Sequence, residues 1–192
     1  MSDWIDITRP LKEGIEVYSE HEQFKKTRAH EVAEDGYQLT HFSMGAHCGT
    51  HMDAPAHFIE GGNSIENAQI QTLVGKCRIV LITGQSLLDN IPQATERLLL
   101  KTNNFKGLTL EMAQNIIDAD VKLLGIDTMS VAPPDNESEI HKLLFGSGIW
   151  ILENLDLSKT DQGLYELICL PLLLTDCEGA PCRAVVRRID EE

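Results

Sequence analysis

Positive charge is scarce in this sequence of 192 residues, because 16 lysines and arginines stand against 30 aspartates and glutamates, for a formal net charge of −14. Nucleic acids and anionic membranes attract cationic surfaces, so the deficit argues against both as partners. No apolar run approaches the length of a membrane-spanning helix. The segment MSDWIDITRP also lacks the basic start and apolar core of a signal peptide. We therefore expect a soluble protein.

The chain also lacks the regular cysteine spacing of a disulfide framework. Its five cysteines are an odd number at irregular intervals: Cys48, Cys77, Cys169, Cys177 and Cys182. Reduced thiols are the simplest interpretation, and they favour a cytoplasmic protein. No internal repeat or low-complexity segment is visible.

The remaining composition is that of an ordinary globular protein, with 42% apolar and 24% charged residues. Short apolar runs predict strands at Trp4–Thr8, Tyr37–Ser43, Cys77–Thr83, Leu98–Leu100, Val121–Ile126, Ile149–Leu152, Leu164–Leu170 and Ala184–Ile189. Capping residues predict helices that begin after Ser64, Thr109 and Asn136. The polar segment Leu11–Asp35 is interpreted as a loop, either a lid over a site or a solvated surface loop. This mixture predicts an α/β fold in which residues 1–192 form one domain around one core.

The most informative stretch is AHCGTHMDAPAHFIEGG, residues 46–62, which places His47, His51, Asp53 and His57 at odd positions. Alternate residues of an extended strand share one face, so these four side chains would lie in one row. A glycine and a proline within the stretch disfavour a helix. Three imidazoles and a carboxylate suit a divalent metal such as zinc or manganese. The alternative is a polar loop whose histidines make ordinary hydrogen bonds.

Two later residues must be considered together with this stretch. His141 lies on the helix predicted after Asn136, and Glu153 ends the apolar strand WILE. An acid that closes an apolar strand is usually paired or bound to a cation. Taken alone, each residue also fits an ordinary surface position, and the residues themselves do not decide between these interpretations.

The segment HCGTHMDAPAHF closely resembles the HxGTHxDxPxHF signature of the cyclase family, which includes bacterial kynurenine formamidase and isatin hydrolase. The resemblance continues through LLGIDTMSVAP, ILENLDL, GLYELICLPLLL and GAPCRAVV, and so spans nearly the whole chain. It implies a β-barrel-like mixed sheet flanked by helices. It also implies a homodimer in which N-terminal residues of one subunit can approach the site of the other.

The resemblance further implies a role for each residue of the constellation. The residues that match the ligands of a first metal are His47, His51 and Asp53, and those that match the surroundings of a second metal are Asp53, His141 and Glu153. His57 matches the general acid/base. The implied cofactor is Zn²⁺, as one ion or two, with Mn²⁺ as the alternative.

The implied activity is that of a metal-dependent hydrolase that cleaves a carbonyl–nitrogen bond of a small amide with metal-activated water. An arylformamidase acting on N-formylkynurenine is the leading expectation. The alternatives are ring opening of the isatin type, hydrolysis of an ester or lactone, and a metal-bound small-molecule binder without turnover. One departure matters, because Tyr18-Ser19-Glu20-His21 stands where kynurenine formamidases usually carry Trp-Pro-Gly-Asp. Tyr18 could still stack on an aromatic substrate, but the identity of that substrate stays open.

Overall fold

The computed structural model describes residues 3–83 and 95–189. Ten strands occur within these ranges: β1 (Ile5–Asp6), β2 (Lys25–His30), β3 (Leu39–Ser43), β4 (His51–Asp53), β5 (Val74–Thr83), β6 (Arg97–Asn103), β7 (Leu123–Ile126), β8 (Trp150–Glu153), β9 (Gly163–Pro171) and β10 (Gly179–Arg188). The α-helices are α1 (Val32–Asp35), α2 (Ile70–Leu73), α3 (Leu110–Asp118) and α4 (Glu137–Gly146). Four 3₁₀ turns cover Glu20–Glu22, Pro55–His57, Ile65–Asn67 and Pro134–Asn136.

Seven of the strands close into a barrel-like mixed sheet. The order is β10-β4-β8-β7-β6-β5-β9, and β9 pairs again with β10, while β1 extends β10 beyond β4. The neighbours from β5 to β8 run parallel, and the remaining pairs are antiparallel. The α/β class with a barrel-like core is thereby confirmed. Strands β2 and β3 form a separate antiparallel hairpin.

Apolar residues fill both faces of the parallel part of the sheet. On β8, Leu152 belongs to the cluster inside the barrel, whereas Ile151 belongs to the cluster under the helices. On β6, Leu99 faces inward and its neighbours Leu98 and Leu100 face the helices. Strands that are buried on both faces have continuous apolar sequences. This is why the sequences LLL on β6 and WIL on β8 correctly predicted strands.

Helices α3 and α4 cover the outer face of this parallel part. Helix α3 begins as predicted, because the Thr109 hydroxyl accepts a hydrogen bond from the Met112 amide at 3.2 Å. Its buried residues Met112 and Ile116 lie in the same outer cluster as Ile140 and Leu144 of α4. This packing fixes α4 over β8, where the functional residues lie.

Three local predictions were wrong. The segment Leu11–Asp35 is not a continuous loop, because it contains β2 and α1. The helix expected from Ser64 to Leu73 is a 3₁₀ turn followed by the short α2, and the Ser64 side chain makes no capping hydrogen bond. Helix α4 begins after Asn136 as expected, but the Asn136 side chain does not cap it.

All five cysteines lie within the described ranges, and none of them forms a disulfide bond. Among the helices of residues 3–83 and 95–189, none is long and apolar enough to cross a membrane.

Candidate metal centre

Strand pairing brings His51 next to Glu153. On the three-residue strand β4, Met52 points into the barrel, so His51 and Asp53 point to the outer face. In the antiparallel pairing with β8, His51 lies directly opposite Glu153, and the two residues share a face. Two segments about a hundred residues apart in the sequence therefore supply one cluster.

The prediction of one extended row from His47 to His57 was wrong in its geometry. Only His51–Asp53 is a strand, His47 lies in the turn before it, and His57 lies in the 3₁₀ turn after it. Gly49 makes the first turn with φ +69°, a conformation that L side chains rarely adopt. A Cβ there would also lie 2.8 Å from a methyl carbon of Leu11. The turn still delivers His47 to the cluster, with its Nδ1 2.8 Å from Asp53 Oδ1.

Helix α4 delivers His141 from above the sheet. The imidazole is almost fully buried, with Nε2 3.5 Å from Glu153 Oε1 and 3.9 Å from Asp53 Oδ2. Its Nδ1 lies 2.7 Å from the Glu137 carbonyl oxygen, one turn earlier on the helix. This hydrogen bond makes Nδ1 the protonated nitrogen in the neutral ring and leaves Nε2 as the ligand atom.

The donor set fits divalent cations. Two groups of three residues share Asp53, and within each group the ligand atoms lie within 4.8 Å of one another: His47, His51 and Asp53, and Asp53, His141 and Glu153. His51 Nδ1 contacts the Gly49 carbonyl oxygen at 2.9 Å, which leaves its Nε2 for a cation. His47 Nε2 is buried, and among the described residues it has no hydrogen-bond partner. Mixed imidazole and carboxylate ligands suit zinc or manganese.

Electrostatics in this cluster are dominated by the carboxylates. Burial by itself lowers the pKa of His51, but the charges and hydrogen bonds of Asp53 and Glu153 outweigh it and raise that pKa well above its ordinary value. Burial likewise opposes the charge on Asp53, yet His51 and His47 lower its pKa below the ordinary range. His141 follows His51, because Glu153 and Asp53 overcome burial and raise its pKa. In the metal-free protein, the raised pKa of His51 favours a proton at a position where a cation would bind.

His57 lies beside the cluster, and its pKa is shifted in the opposite direction from those of His51 and His141. Its ring stacks on His47 with centroids 4.0 Å apart, and it contacts Phe58 edge to face at 4.4 Å. Burial lowers the pKa of His57, and the nearby carboxylates only partly oppose this effect. A neutral imidazole at the edge of a cation site is suited to accept and return a proton near pH 7.

A pocket of about 150 Å³ opens onto the cluster. Tyr18 lies at its wall and is 54% exposed, with its hydroxyl donating to Glu137 Oε2 at 2.9 Å. Phe58 stacks on His141 with centroids 4.3 Å apart. The pocket therefore combines an apolar, aromatic wall with the polar cluster.

The structure brings every predicted site residue to this pocket: Tyr18, His47, His51, Asp53, His57, His141 and Glu153. His41 lies exposed on β3, outside this pocket. Sequence reasoning missed several other lining residues, namely Glu137, Phe58, Met129 and Asn154. The position of Glu137 one helical turn before His141 could have indicated it, whereas no pattern marks Met129.

The sequence profile of the Cyclase family, described as putative cyclase, matches residues 5–133. Among curated proteins, the kynurenine formamidase of Bacillus cereus is 38% identical over 206 aligned positions that span 98% of this chain and 99% of the relative. That of Bacillus mycoides is 37% identical with the same coverage.

Solved structures show the same fold. A potential metal-dependent hydrolase with cyclase activity superposes with a TM-score of 0.84 at 26% identity, covering 99% of this chain and all of the other. Isatin hydrolase A of Ralstonia solanacearum superposes with a TM-score of 0.79 at 20% identity, over 96% of this chain and 91% of the other. The second likeness supports the architecture alone.

Proposed function

The chain belongs to the cyclase family, and on that premise we propose that it hydrolyses the formamide of a small aryl formamide, with N-formylkynurenine as the leading substrate. Its relatives include kynurenine formamidases at 35–38% identity over their whole length. The chain is accordingly a metal-dependent hydrolase that acts on carbon–nitrogen bonds other than peptide bonds. The substrate itself is the proposal.

One observation supports this function above the others: two potential ligand triads share Asp53, and the unshared imidazole of His57 lies beside them. Amide hydrolysis needs a polarised carbonyl, an activated water and a proton donor for the departing nitrogen. The proposed ligands of a first cation are His47, His51 and Asp53, and those of a second are Asp53, His141 and Glu153. When bound, a divalent cation supplies Lewis-acid polarisation and lowers the pKa of water.

His57 is the proposed general acid/base. Because burial lowers its pKa, the ring is neutral near pH 7 and can accept a proton from the attacking water. The resulting imidazolium then donates that proton to the nitrogen of the leaving amine as the carbon–nitrogen bond breaks. His47 fixes the orientation of the His57 ring by stacking on it.

The remaining walls orient the substrate. Tyr18 is proposed to lie against the aromatic ring, since its phenol is held in the pocket wall by the hydrogen bond to Glu137. Phe58, which stacks on His141, provides a second aromatic surface in the pocket. Formate and an aryl amine would be the products.

Three finer points complete the proposal. Zinc is the proposed metal, because tetrahedral sites of imidazole and carboxylate are typical of it, with manganese as the competitor. A homodimer is proposed from family membership. A cytoplasmic location is proposed because none of the five cysteines forms a disulfide bond.

The test is metal analysis of the purified protein, followed by a substrate panel on the same sample. We expect bound zinc, formate release from N-formylkynurenine and slower or absent ring opening of isatin. Preferential ring opening of isatin, or hydrolysis of esters and lactones instead, would contradict the substrate. No turnover of any amide, lactam or ester by fully metallated protein would instead indicate a binding protein.

A further inference from the structure

A second cavity of about 550 Å³ adjoins the metal pocket. Both cavities are lined by Met129 and Asn154, so these two residues mark the junction. The charged residues that line the second cavity are Arg9, Lys12, Glu16, Asp127 and Asp156. The two cavities are therefore neighbours, and the second one carries charges of both signs.

Asn154 places an amide without a protein partner at this junction. The residue is 7% exposed, has φ 58°, and directly follows Glu153. Its backbone is fully engaged, since the amide donates to the Thr128 carbonyl oxygen at 2.8 Å and the carbonyl accepts from Thr50 Oγ1 at 2.7 Å. Across residues 3–83 and 95–189, its side-chain amide makes no hydrogen bond. The amide oxygen and nitrogen are therefore available to hydrogen bond a ligand in either cavity.

Arg9 and Asn154 are both hydrogen bonded to the hydroxyl of Thr50. The backbone amide of Arg9 donates to Thr50 Oγ1 at 2.9 Å, the hydroxyl that also holds Asn154. The Arg9 Nη2 donates to the Asp127 carbonyl oxygen at 3.1 Å, and its Nε has no hydrogen-bond partner among the residues that the structure describes. The guanidinium is therefore anchored at one nitrogen and retains donors for a ligand. A guanidinium fork matches a carboxylate, which it binds through paired hydrogen bonds.

The distribution of charge indicates what this cavity receives. Within the described part of the chain, no lysine or arginine lines the metal pocket, whose charged wall residue outside the cluster is Glu137. An anionic group of a substrate would thus find a cation at Arg9. Asp156 lies near that guanidinium: the pKa of its carboxyl is lowered by hydrogen bonds from Ser158 and, less strongly, by the charge of Arg9. Neighbouring charges of opposite sign suit a zwitterion.

We propose that this second cavity is the subsite for the α-amino-acid tail of the substrate, with Arg9 binding the carboxylate and Asn154 hydrogen bonding the segment between tail and ring. The inference rests on the proposed function, because N-formylkynurenine carries such a tail, joined through a ketone to the ring carbon next to the one that bears the formamide. Asp156 is the group proposed to face the ammonium. The subsite would make the enzyme selective for amino-acid-bearing aryl formamides over simple ones.

The experiment compares kcat/KM of the metallated enzyme for N-formylkynurenine and for formanilide, an aryl formamide without the tail. The selectivity ratio of wild type is measured beside Arg9→Met, Arg9→Lys and Lys106→Met. Lys106→Met is the matched control, since it removes the same unit charge from an exposed position that lines neither cavity.

We expect Arg9→Met to lower the ratio by about 10- to 100-fold, mainly through a higher KM for the tail-bearing substrate, as expected for a lost charge-assisted hydrogen bond. Arg9→Lys should give an intermediate ratio, and Lys106→Met should keep that of wild type. An unchanged ratio in Arg9→Met, or an equal fall in Lys106→Met, overturns the subsite. If Arg9→Met does not fold, an unchanged ratio in Arg9→Lys overturns it equally. Turnover of neither formamide by wild type overturns the proposed function and this subsite together.

Discussion

Asp53 is the residue on which both triads depend. Its Oδ1 lies 2.8 Å from His47 Nδ1 and 3.2 Å from His51 Nε2, while its Oδ2 faces His141 Nε2 at 3.9 Å. The residue is 1% exposed, and a buried carboxylate is tolerated only where partners offset its desolvation. Because each oxygen faces a different set of imidazoles, the loss of this one side chain removes a shared ligand from both groups.

We therefore expect Asp53→Ala and His51→Ala to lose bound metal and activity together. Elemental analysis and the formamidase assay measure the two losses on the same preparation. The matched control is Cys48→Ser, because Cys48 is a buried neighbour that does not line the metal pocket. It should bind metal nearly normally. Full metal content in either ligand variant, or a large loss in Cys48→Ser, would contradict the assignment.

A substitution at His57 tests catalysis separately from metal binding. His57→Asn should fold and keep its metal, yet lose kcat by about 10²- to 10⁴-fold, the usual cost of removing a general acid/base. Metal stoichiometry is the control. Loss of metal would make His57 a ligand and leave the proton transfer to another group, such as His141. Retention of both metal and rate would refute the proposed mechanism.

Proton release should accompany metal binding. Burial opposes a charge on His51, but Asp53 and Glu153 raise its pKa well above the ordinary value, so the metal-free protein holds a proton there at neutral pH. A cation must displace this proton, and its affinity should therefore rise as the pH rises toward that pKa. Calorimetric titration of zinc into apoprotein, in buffers of different ionisation enthalpy, measures the released protons. Identical heats in all buffers would contradict the expectation.

At the scale of elements, the 3₁₀ turn Pro55–His57 is held by the chain that follows it. The Ala56 amide donates to the Asn63 carbonyl oxygen at 3.0 Å, and the Gly62 amide donates to that of Ile59 at 2.9 Å. Gly62 packs directly on the turn, since a Cβ at this position would lie 2.8 Å from the Pro55 carbonyl carbon. The position of His57 thus depends on a glycine five residues away.

Gly62→Ala should displace this turn, because the atoms that meet the new methyl group are backbone atoms. We expect a loss of about 1–3 kcal/mol in the free energy of unfolding, as for other overpacked sites, and a lower kcat. Gly146→Ala on α4 is the matched control, since a Cβ there meets nothing within 4 Å. It should change stability by less than about 1 kcal/mol. Denaturant unfolding and steady-state kinetics provide the measurements, and equal behaviour of the two variants would refute the argument.

Local patterns predicted the elements better than their arrangement. The apolar runs around Leu99 and Leu152 correctly predicted strands, because both faces of these strands are buried. Hairpin strand β2 was missed because KKTRAH is polar and almost wholly exposed. Alternation correctly put His51 and Asp53 on one face, but turns, rather than alternation, bring in His47 and His57. The alternation of side chains along a strand could not predict these turns.

The approach of Glu153 to His51 was also beyond local pattern. It follows from the antiparallel register of β4 with β8, which exists because the sheet closes on itself. Sequence periodicity fixes which face a side chain takes but not which strand becomes its neighbour. For His141 and Glu153, only the resemblance to the cyclase family indicated their place beside the histidine-rich stretch.

At the scale of the whole molecule, the cluster joins two paired strands of the barrel to a turn and to a helix that covers the sheet. Its side chains come from the turn at His47, from β4, from α4 and from β8. Asp53 and Glu153 are both buried in a protein whose formal net charge is −14. A bound cation would offset the desolvation and mutual repulsion of these carboxylates. Metal binding should therefore stabilise the fold as well as serve the reaction.

Removal of the metal should lower the melting temperature reversibly. A cation that binds only the folded state at a free concentration about 100 times its Kd adds about 2.7 kcal/mol, which corresponds to roughly 5–10 °C for a chain of this size. Thermal unfolding with and without a chelator measures the shift, and restored zinc should recover it. Asp53→Ala is the control, because without its shared ligand the variant should melt at one temperature in both conditions. If a chelator lowers the melting temperature of Asp53→Ala by the same amount, the stabilising cation binds elsewhere. If a chelator does not change the melting temperature of wild type, a cation does not stabilise the fold.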